Sequence, residues 1–166
     1  MSISMFRKAL VSLVLISLAA SAACVGHNSS ARVPSLAELQ AARTQVRIED
    51  NDYVLEGYLW RDFMPSAPPD GRPLQVVIML VDTDGRQIPE DLKMMRLWVI
   101  HDEEVWETRF SDESRPDAGR GRLEKIARDG PKWKPGSVVD VVVMLGTKKS
   151  EQYLLSAREL TIEQTN

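Results

Sequence analysis

The sequence predicts an all-β fold, an antiparallel β-sandwich of seven or eight strands with a short N-terminal helical segment. Two apolar runs, Leu74–Asp82 and residues 138–145, are rich in valine and flanked by turn-forming residues, and turn signals recur between shorter alternating segments. A run that is β-branched, continuously apolar and too short to span a membrane is typical of a strand covered on both faces. We therefore expect Leu74–Asp82 to form a central strand with a neighbour on each edge.

The first 23 residues have the composition of an export signal. Arg7 and Lys8 form a basic start, residues 9–20 are apolar, and small residues follow up to residue 23. The apolar stretch is shorter than the roughly 20 residues that span a bilayer, which is typical of a cleaved signal. The expected organisation is a signal peptide at 1–23, a flexible tether at 24–34 and a single β-sandwich domain at 35–166.

The only cysteine, Cys24, follows directly after these small residues. Its placement resembles the bacterial lipobox, in which a lipidated cysteine becomes the mature N-terminus, although Ser21 stands where an aliphatic residue is usual. The resemblance implies a lipoprotein anchored in the cell envelope, in the periplasm or at the cell surface. The alternative is ordinary signal cleavage, which would leave a soluble periplasmic or secreted protein. A lone cysteine excludes an intramolecular disulfide.

The charge balance argues against nucleic acid as a partner. Removing residues 1–23 takes away two basic residues and no acidic ones, so 19 Lys and Arg remain against 24 Asp and Glu, a net charge of −5. Sequence-independent binding to nucleic acid or to anionic lipid needs a dense basic patch. We therefore expect no nucleic-acid partner, and contact with the membrane only through an N-terminal lipid.

The domain is expected to begin with a short helix and a hairpin. Ser35 and Glu38 have the spacing of a capping box, and the leucines that accompany them share one helical face. That face would cover part of the sandwich or, alternatively, contact a membrane or partner. An acidic turn then leads into a strand at residues 53–63, where Tyr58 and Trp60 share one face. The two rings either pack under a loop or form an exposed aromatic ledge for a ligand.

Two regions carry the main polar signals in the middle of the chain. Residues 64–73 contain four prolines and one glycine, so they would form a rigid surface connection that could serve as a recognition loop. His101 lies beside three carboxylates at 102–104, between strands expected at 92–100 and 105–110. This cluster is the best enzymatic candidate, but no nucleophile, cysteine or second histidine offers itself nearby. A polar hairpin tip is expected instead, and no enzymatic activity, catalytic residue, metal site or cofactor is predicted.

The last third of the chain contains an ambiguous segment and an aromatic turn. Residues 122–128 fit helical spacing, whereas the surrounding strands favour an edge strand. In the turn at residues 130–136, Trp133 lies between Lys132 and Lys134. The indole either plugs the end of the core or stands out between the cations as a platform for a sugar or a protein partner.

The strand that follows this turn is expected to be amphipathic. Its alternate valines would face the core, and Asp140 marks its outer face. If this strand and Leu74–Asp82 run in the same direction, the loops that precede them, at residues 64–73 and 130–136, lie at the same end of the sandwich.

The succession of short strands and turns resembles the immunoglobulin-like domains of bacterial envelope proteins, without the cysteine pair of antibody domains. Four motifs are also similar to those of a group of uncharacterised bacterial secreted or lipoprotein chains: YLWRDFMP at 58–65, PPDGRPL at 68–74, EVWE at 104–107 and GPKWKPG at 130–136. This resemblance covers most of residues 50–160. It implies an immunoglobulin-like fold and an exported protein, and it carries no activity and no functional residues.

Two classes of function follow. The leading expectation is a non-enzymatic, envelope-anchored β-sandwich that binds an unknown envelope protein or has a structural role. The alternative is a carbohydrate- or peptidoglycan-binding module, because exposed tryptophan faces stack on sugar rings. The candidate binding residues are Tyr58, Trp60, Lys132, Trp133 and Lys134.

Overall fold

The computed structural model describes residues 32–111 and 119–166, which form one short helix and eight strands. The elements are α1 (Leu36–Gln40), β1 (Gln45–Ile48), β2 (Asn51–Asp62), β3 (Leu74–Asp82), β4 (Lys93–His101), β5 (Glu104–Thr108), β6 (Arg122–Gly130), β7 (Val138–Gly146) and β8 (Gln152–Thr165). The all-β prediction is confirmed, and the ambiguous segment 122–128 lies in strand β6.

The strands form one curled sheet in the order β5-β4-β7-β8-β2-β3-β6, with β1 beside β2. All neighbours are antiparallel except β2 and β8, which pair in parallel where Leu59 lies opposite Ile162. The prediction of a purely antiparallel arrangement is therefore wrong, and the sheet is mixed. The long strand β8 allows this, because its first part pairs with β7 and its last residues pair with β2. No hairpin turn joins β8 to β2, so nothing local imposes an antiparallel pairing.

The curl brings the inner faces of the sheet together around the main core. Strands β3 and β7 contribute Leu74, Val76, Ile78, Leu80, Val139, Val141, Val143 and Leu145. β3 has β2 on one side and β6 on the other, as predicted for a central strand. Its outer face is only half-buried, so the prediction that it is covered on both faces is wrong. The reason is that α1 packs over a different part of the sheet.

Strand β7 is covered on both faces. On its outer face, Val142 and Met144 form a second buried cluster with Trp98 and Ile100 of β4, and the leucines of α1 pack against this cluster. Leu39 of α1 is itself buried there. The predicted apolar face of the helix therefore packs on the sheet.

Helix α1 is capped at its start and held to the sheet beyond its end. At its start the predicted capping box is present: the Ser35 hydroxyl accepts from the Glu38 N–H, and the Ser35 N–H donates to the Glu38 carboxylate at 2.8 Å. Beyond its end, Arg158 of β8 donates to the Gln40 carbonyl at 2.7 Å and pairs with the Asp140 carboxylate at 2.7 Å. Five residues of helix are too few to be stable alone, so these contacts and the apolar packing hold it.

The predicted signal peptide at 1–23, Cys24 and most of the predicted tether at 24–34 lie outside the described residues. Within the part of the chain that is described, no helix combines the length and the apolar character needed to cross a membrane.

Candidate functional site

Three connecting segments meet at one end of the fold. β3 and β7 run in the same direction, since each is antiparallel to one of the two mutually parallel strands β2 and β8. The condition stated from the sequence is thereby met, and the loops that precede β3 and β7 lie at the same end. The hairpin between β4 and β5 lies there too, because β4 is antiparallel to β7. We refer to residues 64–73, 101–104 and 130–136 together as the clamped end.

The Arg61 side chain joins two of these segments. It is 4% exposed and occupies the last inward position of β2. Its guanidinium donates to the carbonyls of Asp70 and Arg72 in the first loop, the latter at 2.9 Å. It also donates to the carbonyls of Lys132 and Trp133 in the second, both at 3.1 Å. A guanidinium has five N–H donors in a rigid planar array, so one buried side chain can hold both loops in a fixed relation.

An ion pair joins the same two loops at the surface. The Lys132 ammonium lies 2.5 Å from the Asp70 carboxylate, and this hydrogen bond holds the pKa of Asp70 below its ordinary value. Gly71 beside it has φ +76°, and a Cβ there would lie 2.5 Å from the ring of Phe63. The loop can therefore adopt this conformation only with glycine, and the exposed ion pair adds little to its stability.

Trp133 lies between the main core and the hairpin tip. The ring is half-buried against the core, and its indole N–H donates to the Glu104 carboxylate at 2.6 Å. The imidazole of His101 lies beside it, with the ring centroids 5.1 Å apart. The indole is thus in contact with both the core and the hairpin, whereas Lys134 on the same turn is exposed.

The cluster around His101 is a hairpin tip. His101 pairs with Glu104 across a two-residue turn in which Asp102 has φ 54°. The Glu104 carboxylate accepts a hydrogen bond from the Trp133 indole, and the His101 imidazole packs on the same indole ring. Among residues 32–111 and 119–166, no three His, Cys, Asp or Glu side chains are grouped so that they could hold a metal ion.

Tyr58 and Trp60 lie on a different surface, on the opposite face of β2 from Arg61. Their rings are stacked, with centroids 5.2 Å apart and an angle of 24° between the planes. Tyr58 is 49% exposed, and Trp60 is half-buried. Gln75 of β3 lies opposite Trp60 and accepts a hydrogen bond from Arg128 of β6. The structure therefore brings Lys132, Trp133 and Lys134 together and places the other two candidate residues elsewhere.

The sequence reasoning missed Arg61, which organises the clamped end. A signal for it exists in the alternation of β2, because Leu55, Leu59 and Arg61 occupy inward positions of one strand. An arginine at an inward position must find partners for its donors, so this anomaly indicates a buried polar network.

No protein-family model matches the chain, and no match was found among the curated proteins or among the solved structures.

Proposed function

We propose that the protein is a non-enzymatic module of the bacterial cell envelope that binds a protein partner at the clamped end. One observation carries the proposal: the buried Arg61 guanidinium donates to four carbonyls in two loops that are distant in sequence. Loops that are already held in one conformation lose little conformational entropy on binding. Two loops held in one conformation therefore suit a surface that a partner recognises by its shape.

The side chains at this end also suit a protein partner. Lys134 is exposed, Lys132 forms only a surface ion pair, and both flank the half-buried ring of Trp133. An aromatic ring with a cationic rim is a frequent composition of binding hot spots. The partner would present an acidic patch, since complementary charge increases the rate of association and selects among partners.

The proposal includes an immunoglobulin-like sandwich and a lipid anchor at Cys24. The sandwich is supported by the curl, which places two sheet faces around one core. A flexible tether at residues 24–34 would have a root-mean-square length of about 18 Å. That length would let the module stand off a membrane and leave its surface accessible.

Quantitative capture from detergent-solubilised envelopes tests the proposal. The tagged full chain is compared with Lys134→Glu, and with Lys148→Glu as a matched control. Lys148 is exposed and follows the opposite end of β7. We expect one envelope protein to be retained by the wild type and by Lys148→Glu and to be lost with Lys134→Glu. Equal retention by all three proteins would contradict binding at the clamped end.

A glycan-binding function is the second candidate, and the stacked Tyr58 and Trp60 rings favour it. Stacked rings on an open sheet face offer an apolar surface for a sugar, and the Gln75 amide lies beside them. Binding of the full chain to purified peptidoglycan, compared with Tyr58→Ala, tests this function. Loss of sedimentation with peptidoglycan in the variant supports it, and absence of sedimentation for the wild type contradicts it.

A further inference from the structure

A groove lies between the start of β4 and the start of β6. Its volume is about 830 Å³, and its apolar lining consists mainly of Ile88, Leu92, Met94 and Leu123. Lys93, at its rim, pairs with Gly146 at the far end of β7 from the clamped end. The groove is therefore a separate surface, and nothing in the proposed function depends on it.

The rim of the groove is basic. Lys93, Arg120, Arg122 and Lys125 line it, against one acidic residue, Glu90. Arg122 pairs with Glu56 at 3.6 Å. Within residues 32–111 and 119–166, no ion pair neutralises the other three cations. This excess of positive charge occurs on a chain whose formal net charge is −3, so it is a local feature of the groove.

One wall of the groove is an open strand edge. β5 pairs only with the second half of β4, from Leu97 to His101. The chain then leaves this side of the sheet, and the Ser111 N–H donates to the Ile126 carbonyl of β6 at 2.8 Å. In the described part of the chain, residues 93–96 of β4 consequently have a strand partner on the β7 side alone. An open edge offers backbone donors and acceptors to an added strand.

We propose that this groove binds an extended acidic segment of a partner protein, which pairs with β4 at residues 93–96. Charge complementarity selects the occupant: carboxylates on alternate residues would reach Lys93, Arg120 and Lys125. The apolar residues between these carboxylates would pack on the side chains of Leu92 and Met94. Alternation of this kind is natural for a strand, because successive side chains point to opposite faces.

Fluorescence anisotropy with the full chain in mild detergent tests this proposal. The probe is a fluorescein-labelled octapeptide of alternating glutamate and valine, and the control probe has lysine in place of glutamate. The groove variant is Lys93→Glu/Arg120→Glu, which changes two exposed residues. The matched control is Arg43→Glu/Arg47→Glu, which makes the same change of charge at two exposed residues that do not line the groove. Unchanged thermal unfolding of both variants verifies that each is folded.

We expect the glutamate peptide to bind the wild type and the control variant equally, and the groove variant at least about tenfold more weakly. The lysine peptide should instead bind the groove variant more tightly than the wild type. Hydrogen exchange should slow at residues 93–96 when the glutamate peptide is bound. Equal binding by both variants would show non-specific attraction and overturn the proposal, as would unchanged exchange at residues 93–96. Groove-dependent binding to phosphatidylglycerol vesicles without binding to the peptide would assign the groove to lipid and also overturn it.

Discussion

Replacing Arg61 with methionine removes the guanidinium donors from the clamped end while keeping an unbranched apolar side chain. Four carbonyls lose a charged donor, and each buried carbonyl without a partner costs about 1–3 kcal/mol. Water can reach some of them because the loops lie at the surface. We therefore expect a loss of about 3–5 kcal/mol in the free energy of unfolding, the range for breaking a buried charged network.

Urea denaturation followed by tryptophan fluorescence measures this loss. Arg47→Met is the matched control, since Arg47 is exposed and its pair with Asp52 spans 3.6 Å. Its removal should cost at most about 1 kcal/mol. Hydrogen exchange in Arg61→Met should increase at residues 64–73 and 130–136 through local opening, and core amides that exchange by global unfolding should speed up only in proportion to the loss of stability. A loss below about 1 kcal/mol, or unchanged exchange in these two loops, would refute the role assigned to the guanidinium.

Four further predictions test the anchor, the core register, the aromatic turn and a buried phenol. Intact-mass measurement of the membrane-extracted protein should find Cys24 lipidated at the N-terminus, and an unmodified Cys24 would contradict this. Val141→Asp should cost at least about 4 kcal/mol in urea denaturation, whereas Asp140→Asn, which weakens an ion pair and a backbone bond, should cost about 1 kcal/mol. Equal losses of stability in the two variants would mean that the register assigned to β7 is wrong by one residue. Trp133→Ala should cost about 2–3 kcal/mol, less than a fully buried tryptophan, and a loss near zero would show a free platform. Burial raises the pKa of Tyr53 above 10.0, so stability should fall as the pH rises above this value, because the unfolded phenol ionises first. In Tyr53→Phe, the loss of stability caused by ionisation of this phenol should disappear. The same dependence of stability on pH in the variant and the wild type would contradict this prediction.

The parts of the fold that depend on local pattern could be predicted from the sequence. The alternating valines of β7, the apolar run of β3 and the capping box at Ser35 each contain their signal within a few residues. The meeting of residues 64–73 and 130–136 could be anticipated only on the condition that β3 and β7 run in the same direction, and that condition depends on the pairing of β2 with β8.

The parts that depend on distant contacts could not be predicted. The parallel pairing of β2 with β8 joins segments about 100 residues apart, and no local motif encodes parallel pairing at that separation. In β4, a bulge between Met94 and Arg96 breaks the alternation that would otherwise place Met95 towards the core. Met95 is instead 45% exposed. The burial of Arg61 depends on two loops that only the folded chain brings together.

Photocrosslinking in the cell that expresses the protein tests binding at the clamped end most directly. A benzophenone amino acid is placed at Lys134 in one full-length chain and at Lys148 in another. Both positions are exposed, and they lie beyond opposite ends of β7. We expect irradiation to give one discrete adduct with an envelope protein from position 134 and none from position 148. Absence of an adduct from position 134, or the same adduct from both positions, would contradict a partner bound at the clamped end.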